Sequence, residues 1–228
     1  MINLVDLSVK DRWEEEFDKG SNKDYPNIEL VRLEKWFFNN KPGKLLEYGI
    51  GSGVNTCHMA KCGYTIEGID ATEGAVRTTR KKLIKNNFLD SKINLQSIKP
   101  DTQVLPYQDN EFDYVIIISV VSLLGSLERI HLVMSELQRV LKSGGKIIAD
   151  VNTDKSSFAI EGKHIGNNIY VNSGREKSKE EIFCFCPSDK NTFKEILSKY
   201  FNVIDIGRST SDIMNNTTDE FIYCGIKE

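Results

Sequence analysis

The chain has 228 residues, 39% of them hydrophobic and 28% charged, with a formal net charge of −3. This length suits one large domain, or one domain with a small insert, and can bury a core without metals or disulfides. The slight acidity argues against nucleic acid or an anionic membrane as a partner, and the densest basic run, Arg80 to Lys85, reads as the solvated face of a helix.

No cationic stretch followed by an apolar one opens the chain, so no signal peptide is expected. The most apolar run, "YVIIISVVSLLG" from Tyr114 to Gly125, falls short of the ~20 residues needed to span a bilayer and suits a buried strand. Five cysteines, Cys57, Cys62, Cys184, Cys186 and Cys224, form no CxxC pair, and the histidines are scattered. These residues read as reduced thiols of a cytoplasmic protein, with no metal site expected.

In chain order, "DRWEEEFDKG" and "NIELVRLEKWFFNN" read as two helices, the second capped by Asn27 after Pro26, before "KPGK" breaks the chain. From Lys44 strands and helices alternate. "KLLEYGI" is a strand, "NTCHMAKCG" a short helix closed by Gly63, "YTIEGIDA" a strand and "EGAVRTTRKKLIKNN" a helix. "INLQSI" and "FDYVIIISV" are the third and fourth strands. An amphipathic helix follows over "ERIHLVMSELQRVLKSGG", with Gly144 expected to end it, then the strand "KIIADVN". The helix "NTFKEILSKY" and the strands "FNVIDIGRS" and "EFIYCGIKE" complete the chain. The expected fold is α/β, a Rossmann-like, mostly parallel seven-stranded sheet with helices on both faces. Residues 1–43 form an N-terminal helical segment covering the site, and residues 44–228 form the domain. A polar insert at about 153–181 either helps to build the ligand crevice or forms a surface excursion.

The stretch "LLEYGIGSGVNT" places a glycine-rich loop after the first strand. A loop for a nucleoside triphosphate ends in Gly-Lys-Ser/Thr, but Gly53 is followed by Val54 and Asn55. A dinucleotide fingerprint needs a third glycine where Val54 or Thr56 stands. Glu47, two residues before Gly49, would repel a pyrophosphate and suits a ligand with an ammonium group and a sulfonium. The glycines let the backbone approach that ligand. Asp70 ends the second strand, where a carboxylate can accept bonds from both hydroxyls of a ribose.

The segments "LLEYGIGSG", "IEGIDAT", "DTQVLPYQDNEFDYVIIISVV" and "ELQRVLKSGGKIIADV", in this order, resemble the class I S-adenosylmethionine-dependent methyltransferases, of the small-molecule, type-11 kind. The resemblance runs from about Lys44 to Asn152. It implies that strand seven is antiparallel and inserted between strands five and six. It also implies S-adenosylmethionine as cofactor. Glu47 with the backbone of Gly49, Gly51 and Gly53 would hold the methionine moiety, and Asp70 the ribose. Ala71 would lie beside the adenine, Asp101 would take its amino group, and Ser119 would line the floor near the sulfonium.

Methyl transfer from a sulfonium demands alignment in a dehydrated cavity, with a general base only for some acceptors. His164 and Asp150 are the candidates for that base. Trp13 and Tyr25, with Phe17, are candidates for a lid over the acceptor, or else pack the opening helices onto the sheet. "SVVSLLG" after strand four lacks the Asn-Pro-Pro-Tyr type of motif used on exocyclic amino groups. The expected acceptor is a small molecule such as a sugar, a metabolite or a biosynthetic intermediate. An RNA or protein methyltransferase, a non-catalytic methyltransferase-like subunit and an NAD-dependent dehydrogenase are the alternatives.

Overall fold

Short apolar runs alternating with amphipathic helices build two sheets in the computed structural model, which describes residues 4–20, 22–88, 90, 92–172, 181–214 and 216–228. Two helices, α1 (Leu4–Asp18) and α2 (Ile28–Trp36), precede the first strand. The alternating series is β1 (Lys44–Tyr48), α3 (Val54–Lys61), β2 (Thr65–Asp70), α4 (Glu73–Lys85), β3 (Ile93–Ser97) and β4 (Phe112–Ile117). After a 3₁₀ turn at Val121–Leu124 come α5 (Leu127–Val140) and β5 (Leu141–Asn152). The excursion α6 (Ser157–Ile160), β6 (Lys163–Gly166), β7 (Ile169–Asn172) and β8 (Ile182–Phe185) follows. Helix α7 (Lys190–Leu197) and the hairpin β9 (Asn202–Ile213) and β10 (Asn216–Ile226) end the chain.

The large sheet has the order β3-β2-β1-β4-β5-β10-β9. Strand β10 runs antiparallel to both β5 and β9, so it is the inserted strand that the resemblance implies. Both faces are covered, as parallel strands require. Leu45, Ile66, Ile116, Ile118 and Ile148 meet Leu30 of α2 and Met59 of α3 on one face. Leu46, Val115, Ile117, Ile147 and Ala149 meet α5 and α7 on the other. Asn27 does cap α2, its side chain accepting from the Glu29 and Leu30 amides at 2.9 and 3.0 Å.

Two boundaries differ from expectation. Helix α5 stops at Val140, not at Gly144, because Leu141 turns extended, pairs with Phe112 of β4 and is fully buried. Gly144, at φ +75°, instead shapes an irregularity in β5, where its amide donates to the Lys227 carbonyl at 2.8 Å. The expected polar insert contains α6, β6 and β7, which pair with β8 just beyond it in a three-stranded antiparallel sheet, β6-β7-β8, and Cys184 and Cys186 lie in a buried cluster with Ala159 and Ile182. Residues 173–180 of that insert lie outside the described residues. Among the described residues, no helix is long and apolar enough to cross a membrane.

Candidate functional site

The strand order reverses direction at β1, and a crevice opens beyond the carboxyl ends of β1 and β4, where open α/β sheets place their ligands. A cavity of about 220 Å³ fills it. Its lining includes Gly49, Gly51, Asp70, Ala71 and Ser119, with Trp13 and Phe17 of α1.

The loop after β1 is built from left-handed turns. Gly49, Gly51 and Gly53 have φ of +86°, +51° and +77°, a region where a side chain is strained. Each glycine has a different reason beyond that. A Cβ on Gly49 would stand 2.3 Å from Val120 Cγ2, and one on Gly53 would strike Thr79 at 2.7 to 2.8 Å. A Cβ on Gly51 would meet nothing within 4 Å, so the space above Gly51 belongs to the cavity. Gly53 does not line the cavity. It lets α4 approach the loop, whose Gly51 carbonyl accepts from Thr79 Oγ1 at 3.2 Å.

Glu47, on β1 just ahead of this loop, is 2% exposed and does not line the cavity. Its Oε2 accepts from Thr56 Oγ1 at 2.7 Å, while the buried Oε1 has no hydrogen-bond partner among the described residues. Burial, opposed by the Thr56 bond and reinforced by the negative charge of Asp70, pushes the carboxyl up to about 8. A buried carboxyl oxygen with no partner, close in sequence to the glycine loop, fits a ligand that brings a cationic donor.

Asp70 ends β2 and ties the loop to the next helix. Its Oδ2 accepts from the Gly51 amide at 3.0 Å, and its Oδ1 from the Thr72 amide and hydroxyl at 3.0 and 2.9 Å. Thr72 in turn caps α4 through Ala75. Burial raises the Asp70 carboxyl above its ordinary value, and these bonds oppose the rise. Ser119 lies in the bend just after β4 at φ +60°, its amide held by Asp150 Oδ1 at 2.6 Å. Asp150 is 2% exposed, its other oxygen has no hydrogen-bond partner among the described residues, and it does not line the cavity. It supports the position of Ser119.

Three other expected residues stand away from the cavity. Asp101 is half-buried in a turn outside the lining, which takes Lys99 and Pro100 instead. The guanidinium of Arg129 sets that turn, bonding the carbonyls of Pro100 and, at 2.9 Å, Thr102. Tyr25 is 83% exposed and outside the lining. His164 is exposed on β6, its ring 4.9 Å from that of Tyr170, and also outside the lining. Sequence reasoning left Arg129 and the lining lysines Lys10, Lys23 and Lys99 unmarked, and assigned no role to Tyr48 and Ser52, which also line it.

Helix α1 reaches the cavity because Gly74 of α4 offers it a place to dock. A Cβ on Gly74 would stand 2.7 Å from Phe17 Cβ. Arg77 then bonds Glu14 and Asp18 at 3.1 and 3.0 Å.

Residues 46–149 match the family described as "Methyltransferase domain". A curated relative, the ubiquinone biosynthesis O-methyltransferase of Rickettsia akari (strain Hartford), is 26% identical over 118 residues, which are 51% of this chain and 43% of that protein. The aligned segment thus spans less than half of the relative's length. Among solved structures, the 1,6-didemethyltoxoflavin-N1-methyltransferase of Burkholderia thailandensis superposes with a TM-score of 0.73 at 11% identity, covering 97% of this chain and 88% of that one. The N-methyltransferase NodS of Bradyrhizobium japonicum WM9, solved with S-adenosyl-L-homocysteine, gives 0.68 at 12% identity, covering 96% and 98%.

Proposed function

We propose, for a chain whose residues 46–149 carry the methyltransferase domain and whose sheet is that of the class I S-adenosylmethionine-dependent methyltransferases, that it transfers a methyl group from S-adenosylmethionine to a small-molecule acceptor. The observation that carries this reading is Glu47, a buried carboxyl with one unpartnered oxygen, two residues ahead of a glycine loop whose Gly49 and Gly51 line the cavity. When bound, S-adenosylmethionine supplies a methyl group already activated on a sulfonium. The protein's part is to hold and to align.

Glu47 holds the amino-acid end through its ammonium group, and Asp70 keeps lone pairs for ribose hydroxyls while fixing the loop. Ala71 packs beside the adenine. Ser119, braced by Asp150, shapes the floor at the end of β4. Trp13 and Phe17 of α1 keep bulk water from one side of the cavity. No histidine or cysteine is among the described lining residues, which suits a reaction driven by alignment more than by a dedicated base. A small acceptor is supported by the aromatic rings of Trp13 and Phe17 at the cavity and by the small-molecule chemistry in the names of the two methyltransferases from Rickettsia and Burkholderia. A cytoplasmic setting suits five free cysteines, three of them buried.

Thermal denaturation tests the reading. S-adenosylmethionine and S-adenosylhomocysteine at a hundred times their Kd should each stabilise the chain by about 2.7 kcal/mol, and NAD should not. Stabilisation by NAD with no response to either sulfur compound would refute it.

A further inference from the structure

On the face of the sheet covered by α2 and α3, away from the cavity lining, α2 and the end of α3 bring three different ligand chemistries together. Glu34 of α2 is 5% exposed. His58 and Cys62 are four residues apart at the end of α3, on one helical face, with Cys62 Sγ 3.8 Å from His58 Nε2. One donor atom from each of the three side chains lies within 4.8 Å of the other two. Atoms bound tetrahedrally to zinc at its usual bond lengths stand about 3.4–3.6 Å apart, so shifts of a few tenths of an ångström to about 1 Å would close the set.

No lysine or arginine is ion-paired with Glu34 among the described residues, although its side chain is buried. The Tyr64 hydroxyl donates to Glu34 Oε1 at 3.2 Å and orients it. A cation here would add a charged partner to that single neutral hydrogen bond.

We propose that Glu34, His58 and Cys62 bind one zinc-type divalent cation that fastens α2 to α3. Thiolate, imidazole and carboxylate together select a borderline-soft transition metal over magnesium or calcium, which prefer all-oxygen shells. Binding displaces the Cys62 thiol proton to solvent. The ion's two positive charges are then balanced by one thiolate and one carboxylate, with neutral imidazole as the third ligand. The fourth position is left to water at the half-buried side of His58 and Cys62. None of the three residues lines the cavity, so the role is structural and independent of the methyl-transfer reading.

The full chain, stripped with chelator and equilibrated with Zn²⁺ at micromolar concentration, should retain one ion per chain by elemental analysis. Co²⁺ in its place should give a thiolate-to-cobalt charge-transfer band in the near ultraviolet. His58→Ala and Cys62→Ser should each weaken binding by at least about tenfold, and Cys62→Ser should abolish the band, with S-adenosylhomocysteine affinity unchanged. Lack of stoichiometric uptake, or uptake undiminished in both variants, overturns the proposal. Should a variant fail to fold, the wild-type chain decides. Zn²⁺ must then protect Cys62 from alkylation, read by peptide mapping, and unchanged labelling counts against the site.

Discussion

Replacing Glu47 with Gln should change stability and ligand binding in opposite directions. The folded, ligand-free chain holds the Glu47 proton up to about pH 8, whereas the unfolded chain releases it near its ordinary value of 4.5. Between those limits the native state binds more protons, so ligand-free stability falls as pH rises and levels off above about 8. The gap corresponds to at most about 5 kcal/mol, at about 1.4 kcal/mol per pH unit. Gln keeps an acceptor for Thr56 Oγ1 and carries no charge, so Glu47→Gln should flatten this slope and be the more stable protein at pH 8. The same change removes the carboxylate that meets the ligand's ammonium. At pH 8 it should weaken S-adenosylhomocysteine binding by about 1.5–3 kcal/mol, roughly 10- to 150-fold. Wild-type binding should also release a large fraction of a proton per site at pH 7, because the ammonium restores the ionised form. Urea denaturation at pH 6 and 8.5, with calorimetry in buffers of different ionisation enthalpy, measures all three quantities. Equal affinities of variant and wild type, or no proton release at pH 7, would refute the placement of Glu47 under the ligand.

Substitutions at four further positions separate roles within the site. Asp70→Ala should weaken S-adenosylhomocysteine binding by about 1–3 kcal/mol, and Asp70→Asn by less, since Asn keeps one acceptor oxygen; equal, wild-type affinities in titration would remove Asp70 from the site. Burial, with Glu220 adding its negative charge and Lys23 and the Ser119 bond opposing, holds the Asp150 carboxyl well above its usual range. Asp150→Asn keeps an acceptor for the Ser119 amide without a buried charge, so it should be at least as stable as wild type at pH 8. Asp150→Ala strands that amide and should cost about 1–3 kcal/mol in urea denaturation. Gly49→Ala should destabilise by about 2–4 kcal/mol, from left-handed strain plus the clash with Val120. Gly51→Ala, with open space at its Cβ, should carry only the strain, about 1–2 kcal/mol, yet place a methyl group at the cavity lining and reduce ligand affinity.

What could be read from the residues is what depends on short spacing. Glu47, the three glycines and Asp70 are placed by a strand, a turn and the end of the next strand, and Gly49, Gly51 and Asp70 line one cavity while Glu47 and Gly53 do not. What escaped depends on distant contacts. The orientation of the turn at Asp101 is set by Arg129, on a helix that follows β4, which bonds backbone carbonyls and so leaves no motif. The end of α5 is decided by Phe112, which pairs with Leu141 across the sheet and overrides a helical pattern that continues to that residue. Lys10 and Lys23 reach the cavity from segments ahead of β1, where nothing local distinguishes them from solvated lysines. Gly53 looks like part of a ligand cradle, but its left-handed turn also serves the close approach of Thr79.

The double attachment of Asp70 bears on the entropy of binding. The loop is already fastened by the Gly49 amide on the Ile69 carbonyl, the Gly51 amide on Asp70, the Gly53 amide on the Ile50 carbonyl and the Thr79 hydroxyl on Gly51. Ordering a backbone residue costs about 1–2 kcal/mol, and most for glycine, so a disordered loop of this length would absorb several kcal/mol when a ligand arrived. Here that cost falls on folding, and association need only immobilise the ligand. Affinity can therefore be lost without deleting any ligand contact, by loosening Thr72 or Thr79. Such variants should bind with a less favourable entropy and a nearly unchanged set of polar contacts.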